Sequence, residues 1–116
     1  MSRKGLARQA AILELASPHV RGVVVDMGCD HGHTTRALQD LGTADLVVGT
    51  ERRSNRLPRR ADLHLVVCDK LRAFRRVDLA VITGMGPHVI LEALEARPEV
   101  AVVHSPDRCD TLRRGL

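Results

Sequence analysis

Residues 23–33 read Val23-Val-Val-Asp-Met-Gly-Cys-Asp-His-Gly-His33. Three valines in a row favour a pleated, buried backbone, and a glycine turn follows at once. A strand running into a glycine turn is the common opening of a nucleotide-binding α/β unit. Asp30, however, stands where a phosphate loop needs bare backbone. Starting from Gly28, a G-x-G-x-x-G pattern would place glycines at positions 30 and 33, which hold Asp30 and His33. A carboxylate beside two phosphates in a partly buried loop is disfavoured electrostatically. The ligand expected here therefore lacks phosphate and tolerates acids.

Before this stretch, the spacing of apolar residues predicts a helix over 6–16, stopped by Ser17-Pro18. Strands are expected at 23–26, 46–49, 63–68, 77–83 and 100–103. Helices are expected at 34–41, ended by Gly42, over 89–96 with Pro87 in the first turn, and at 107–116. Wholly apolar strands alternating with helices predict a doubly wound, mainly parallel five-stranded sheet covered on both faces. Right-handed crossovers gather the strands' carboxyl ends on one edge, where ligands bind. Asp26, Glu51 and Asp69 follow the first three strands, Gly84 to Gly86 the fourth, and His104 to Pro106 the fifth.

A chain of 116 residues holds one domain and one core. That core is aliphatic, because Phe74 is the sole aromatic residue. A hydrophobic fraction of 44% places the chain among globular proteins, and its apolar runs are too short to span a bilayer, so no membrane partner is expected. Arg8, Gln9 and Glu14 interrupt any apolar signal core, so no targeting peptide is read. Cys29, Cys68 and Cys109 are odd in number and widely spaced, which fits reduced thiols in a cytoplasmic protein. All but two of the 18 basic residues are arginine, within a net charge of +4. Arg52, Arg53, Arg56, Arg59 and Arg60 crowd one stretch, and Arg72, Arg75 and Arg76 another. Such clusters fit either a polyanionic partner or the solvated surface of a chain that uses Arg for Lys.

S-adenosylmethionine meets the demand set by Asp30: it has no phosphate and carries a cationic sulfonium. Asp26, Gly28 and Gly32 form the D-x-G-x-x-x-G shape of a methyltransferase loop. Glu51, at the end of the second strand, can accept hydrogen bonds from both ribose hydroxyls. Asp69 and Lys70 follow the third strand, where a side chain can meet the adenine amino group. Cys29, His31 and His33 as metal ligands are the weaker alternative, since zinc takes four well-spaced partners; no metal is expected.

"VVVDMGCDHGH" together with "ITGMGP" (82–87) resembles the bacterial tRNA (adenine-22-N1)-methyltransferases, whose signatures read D-I-G-S-D-H-A-Y-L-P and A-G-M-G-G. The leader "RKGLARQAAILELAS" and the terminal "TLRRGL" are similar to that family as well, so the resemblance covers about residues 4–116. It implies a Rossmann-like class I methyltransferase fold with strand order 3-2-1-4-5, as one truncated S-adenosylmethionine-binding domain over residues 1–116. The family's last two strands and C-terminal helical extension are expected to be missing, leaving a fifth-strand edge that a second copy could cover. It further implies that Asp26, Gly28, Cys29, Asp30, Gly32, Glu51, Arg52, Asp69, Lys70, Gly84 and Met85 hold the cofactor. Asp30, His31 and Met85 fall to the reacting centre, and Gly86, His104, Ser105 and Pro106 to the substrate. His31 has the alternative role of a helix N-terminal residue that only packs.

The expected activity is methyl transfer to adenine N1 of tRNA, with tRNA held by the arginines. The alternatives are a non-catalytic cofactor- or RNA-binding remnant of the fold, and a small-molecule methyltransferase. The chain departs from the family pattern at several places. His33-Thr34-Thr35 replace Tyr-Leu-Pro, which removes an aromatic ring that could stack on a base. Pro87 replaces the last glycine of G-M-G-G. His104-Ser105-Pro106, or Ser105-Pro106-Asp107, stand for Gln-Pro-Asn. Residues 52–62 are too few for the crossover helix usual between the second and third strands.

Overall fold

The computed structural model describes residues 2–106 and 109–116. Five strands, β1 (Val23–Met27), β2 (Leu46–Glu51), β3 (His64–Val67), β4 (Leu79–Thr83) and β5 (Val100–His104), form one sheet. Their order is β3-β2-β1-β4-β5 and every neighbouring pair is parallel. Helices α1 (Arg3–Ala16), α2 (His33–Asp40), α3 (Pro87–Leu94) and α4 (Cys109–Gly115) cover it. The expected α/β fold and strand order are those observed, in an arrangement compatible with a Rossmann-like fold. Among the described residues no helix is long and apolar enough to cross a membrane.

The two-residue period of the strands divides the core. Val24, Leu79, Val81 and Val102 pack on one face with Ile12 and Ala16 of α1 and Leu38 of α2. Val25, Met27, Ala80 and Ile82 pack on the other with Ile90 and Ala93 of α3 and Leu112 of α4. Leu38, Leu79, Ile82 and Ile90 are fully buried, each stabilising the fold by about 2 kcal/mol. Both clusters are aliphatic at their centres, and Phe74, the sole aromatic residue, packs partly buried against the second.

Local chemistry sets most boundaries. Ser2 caps α1, its hydroxyl accepting from the Gly5 amide at 3.0 Å, so the helix starts three residues before the first apolar position that the periodicity reads. Gly32, at φ +85°, leads into α2, and Gly42, at φ +69°, follows its end. Pro87 opens α3. Past the end of that helix the left-handed residue is Arg97, at φ +54°, where glycine is usual. β1 runs one residue past Asp26, which pairs with Gly49 and Val81 inside the sheet. Between β2 and β3 there is only a short 3-10 turn, Ser54–Arg56, as the length of that connection predicts. Asp107, where the sequence reading begins the last helix, lies outside the described residues.

The amino-terminal end of the sheet is held by Asp78. This buried carboxylate accepts from the Val23 amide at 2.8 Å and from Arg76 Nε at 2.9 Å. The Val23 amide, then Arg76, hold its carboxyl below the usual range. Gly22, at φ +62°, lies against it: a Cβ there would stand 2.0 Å from Asp78 Oδ2.

Candidate functional site

At the carboxyl edge of the sheet a cleft of about 640 Å³ opens between α1, the loop after β1, the end of β2 and the end of β4. Its floor is built around glycines. Gly28, at φ +71°, turns the chain out of β1 while its amide and that of Cys29 both donate to the Thr50 carbonyl at 2.9 Å. A Cβ on Gly28 would meet the Met85 methyl at 2.3 Å, so the missing side chain lets Met85 lie over the loop. Gly49 of β2 makes similar room for Cys29, since a Cβ there would stand 2.9 Å from the Cβ of Cys29. The residue after Cys29 is Asp30, at φ +52°, a left-handed conformation that Asp adopts more readily than most residues.

Three carboxylates line this cleft: Asp26, Asp30 and Glu51. Asp26 is 2% exposed and accepts from the Thr35 hydroxyl at 2.7 Å. Burial lifts its carboxyl to about 6; the Thr35 bond opposes the rise and the charge of Glu51 adds to it. Cys29 is buried beside them, and burial, then Asp26 and Glu51, push its thiol up to about 12. Glu51 Oε1 accepts from the Asp30 amide at 2.8 Å. That bond joins the β1 loop to the end of β2 and leaves Oε2 free to accept from a ligand. The Asp30 side chain is exposed at the mouth, 3.9 Å from His31 Nε2. The His31 and His33 rings stand 6.0 Å apart, both on the cleft wall.

The structure therefore brings together Asp26, Gly28, Cys29, Asp30, His31, Glu51, Gly84 and Met85 around one cleft. The other predicted site residues lie outside its lining. Gly32 is buried under Leu63 and Arg60. Arg52 and Gly86 are exposed. Asp69 and Lys70 sit one strand further out, beside the end of β2, since the Cys68 amide donates to the Glu51 carbonyl at 2.9 Å. The Lys70 ammonium is engaged by Glu92 of α3 at 3.0 Å and by Asp69 at 3.3 Å. His104 ties its carbonyl to the Gly84 amide at 3.1 Å; Ser105 is buried and Pro106 exposed. Among the described residues no group of three or more His, Cys, Asp or Glu is placed to hold a metal ion.

Sequence reading misses the α1 wall, made by Gly5, Arg8, Gln9 and Ile12, and also Arg56 and Thr83. The signal for α1 is present: positions 5, 8, 9 and 12 share one helix face. The arginine clusters divide. Arg60 and then Arg36 hold the Asp62 carboxyl down at about 2, and Arg76 is bound to Asp78. Arg52, Arg53, Arg56 and Arg59 have no carboxylate partner among the described residues.

Compared with models of known protein families the chain matches none, and no curated protein sequence matches it significantly.

Proposed function

We propose that this cleft binds S-adenosylmethionine and that the chain is a methyltransferase acting on RNA, with adenine N1 of tRNA as the acceptor implied by the sequence resemblance. The observation that carries the reading is the single cleft onto which the β1 glycine turn and the β2-terminal carboxylate both open. The donor set suits this ligand. Glu51 Oε2 can accept from a vicinal diol, Gly28 and Gly84 offer bare backbone beside Met85, and three carboxylates favour a cation over a phosphate.

When bound, the cofactor supplies an electrophilic methyl carbon on a sulfonium centre. A neutral ring nitrogen would take the methyl group with its own lone pair, the electron pair of the broken C–S bond leaving with the neutral thioether, so no side chain has to remove a proton first. The chain's task is alignment and exclusion of water, with Met85 packed on Gly28 as the surface beside the reacting atoms. Asp30, exposed at the mouth, offsets the positive charge that N1 methylation places on the base. The base leaves its stack to enter, and the unpaired Arg52, Arg53 and Arg59, with Arg56 on the cleft wall, suit the phosphates around it.

The test is calorimetric titration of S-adenosylhomocysteine into the native chain and a Glu51→Ala variant. Loss of charge-assisted hydrogen bonds worth about 2 kcal/mol predicts at least about tenfold weaker binding by the variant. No binding by the folded native chain would overturn the reading. Transfer of labelled methyl groups to bulk tRNA then tests the acceptor.

A further inference from the structure

Arg8 is the one cation on the α1 wall of the cleft. Several other guanidiniums are paired with carboxylates: Arg21 with Glu99, Arg36 and Arg60 with Asp62, Arg72 with Asp69, Arg76 with Asp78 and Arg114 with Asp110. Arg8 has no such partner among the described residues. Its backbone is nonetheless well anchored. Ile12, one turn on, is 7% exposed in the core, and Ser2 caps the helix one turn before Leu6. Gly5, at i−3 from Arg8, lines the same cleft and carries no side chain.

An amino-acid ligand end carries a carboxylate as well as an ammonium. Asp26, Asp30 and Glu51 attract the ammonium and repel the carboxylate, so a cleft with this lining needs a separate cation for the latter. A guanidinium fork matches a carboxylate through two parallel hydrogen bonds. Two arginines line the cleft. Arg56 stands in the 3-10 turn just past Glu51, on the β2 side assigned to the ribose. Arg8 comes from the opposite wall, because α1 packs through Ile12 and Ala16 on the face formed by Val24, Val81 and Val102 of β1, β4 and β5. β1 and β4 carry Gly28 and Met85 just past their ends, where the sulfur end of the ligand lies if the ribose is at Glu51, with Met85 itself packed against the core on the opposite face of the sheet from α1.

We propose that Arg8 binds the carboxylate of the cofactor's amino-acid end, assisted by the amide of its neighbour Gln9, and so sets the direction in which the cofactor enters the cleft. The inference rests on the cofactor reading of the cleft. It is tested by titrating two probes, S-adenosylhomocysteine and methylthioadenosine, which lacks the amino-acid end, into the native chain and into Arg8→Ala, Arg8→Lys and Glu51→Ala variants. Arg8→Ala is expected to weaken S-adenosylhomocysteine about tenfold or more and to leave methylthioadenosine within about twofold, with partial recovery in Arg8→Lys. Glu51→Ala weakens both probes. Arg8 is exposed, and thermal melting of each variant beside the native chain checks that it is folded. An equal loss for both probes in Arg8→Ala, or no loss for either, overturns the role of Arg8 and leaves the cleft reading standing. Binding of neither probe by the native chain removes both.

Discussion

Replacing Asp26 by Asn should make the protein more stable at neutral pH, although it removes a side chain of the candidate site. Asp26 is 2% exposed, and its carboxyl titrates at about 6 rather than the ordinary 3.8 because burial penalises the charged form. The folded state thus holds its proton more tightly than the unfolded state does. Stability from this group is fully present below about pH 3.8 and is lost as pH rises toward and through about 6. A rise from 3.8 to about 6 corresponds to about 3 kcal/mol of stability absent at pH 7.5. Asn has the same shape, keeps an oxygen for the Thr35 hydroxyl 2.7 Å away, and never ionises. Urea unfolding of both proteins at pH 4.5, 6.0 and 7.5 gives the difference directly, with the other titrating groups cancelling. The expected gap is within about 1 kcal/mol at pH 4.5 and grows to about 3 kcal/mol in favour of Asn at pH 7.5. A gap that stays flat across this range would mean that the folded chain does not hold the Asp26 proton more tightly than the unfolded one. The predicted sign makes Asp26 a residue kept at a cost to the fold, which is common for functional groups.

Two further outcomes test the frame around the cleft. Gly22→Ala places a methyl group 2.0 Å from Asp78 Oδ2 at a φ of +62°, and Asp78 cannot swing away without giving up the Val23 amide; a loss of about 2–4 kcal/mol in denaturant unfolding is expected, and a loss below about 1 kcal/mol would contradict it. In alkylation by iodoacetamide near pH 8, followed by mass spectrometry, exposed Cys109 should be modified first. Buried Cys29, its thiol pushed up to about 12, should react only when the chain is unfolded, and equal rates for the two would count against the buried position.

The strands are legible in the sequence because they are valine- and leucine-rich throughout, and a strand buried on both faces leaves that trace. Their ends are less so. Leu63 and Val77 look like strand residues, but Leu63 packs against Gly32 before β3 and Val77 sits before β4 in the second core. The acids at Asp26 and Glu51 and the glycines at Gly28 and Gly84 are readable as a site, since parallel topology sends their positions to one edge. Lys70 is not: its ammonium is taken by Glu92, more than twenty positions along the chain, a tertiary pairing with no local trace. Arg8 is hidden too, because in the sequence it shows only as a break in an apolar leader. Its place on the cleft wall follows from the anchoring of Ile12, which requires the fold to be known.

The carboxylate of Asp78 also governs how the two halves of the sheet meet. β1 and β4 lie far apart in sequence, and the Val23 amide and Asp78 that join them are 55 positions apart. Sliding β4 by one residue would turn Ile82 and Val81 to the wrong faces, so the alternation of apolar residues forbids odd slips. A slip of two would preserve the faces, and alternation alone would permit it. It would also carry a buried carboxylate away from the Val23 amide and leave only Arg76, which moves with it, to hold its charge, which is costly. A single charge at the far end of the sheet therefore selects one alignment, Asp26 opposite Val81, and with it the height at which Met85 settles on Gly28.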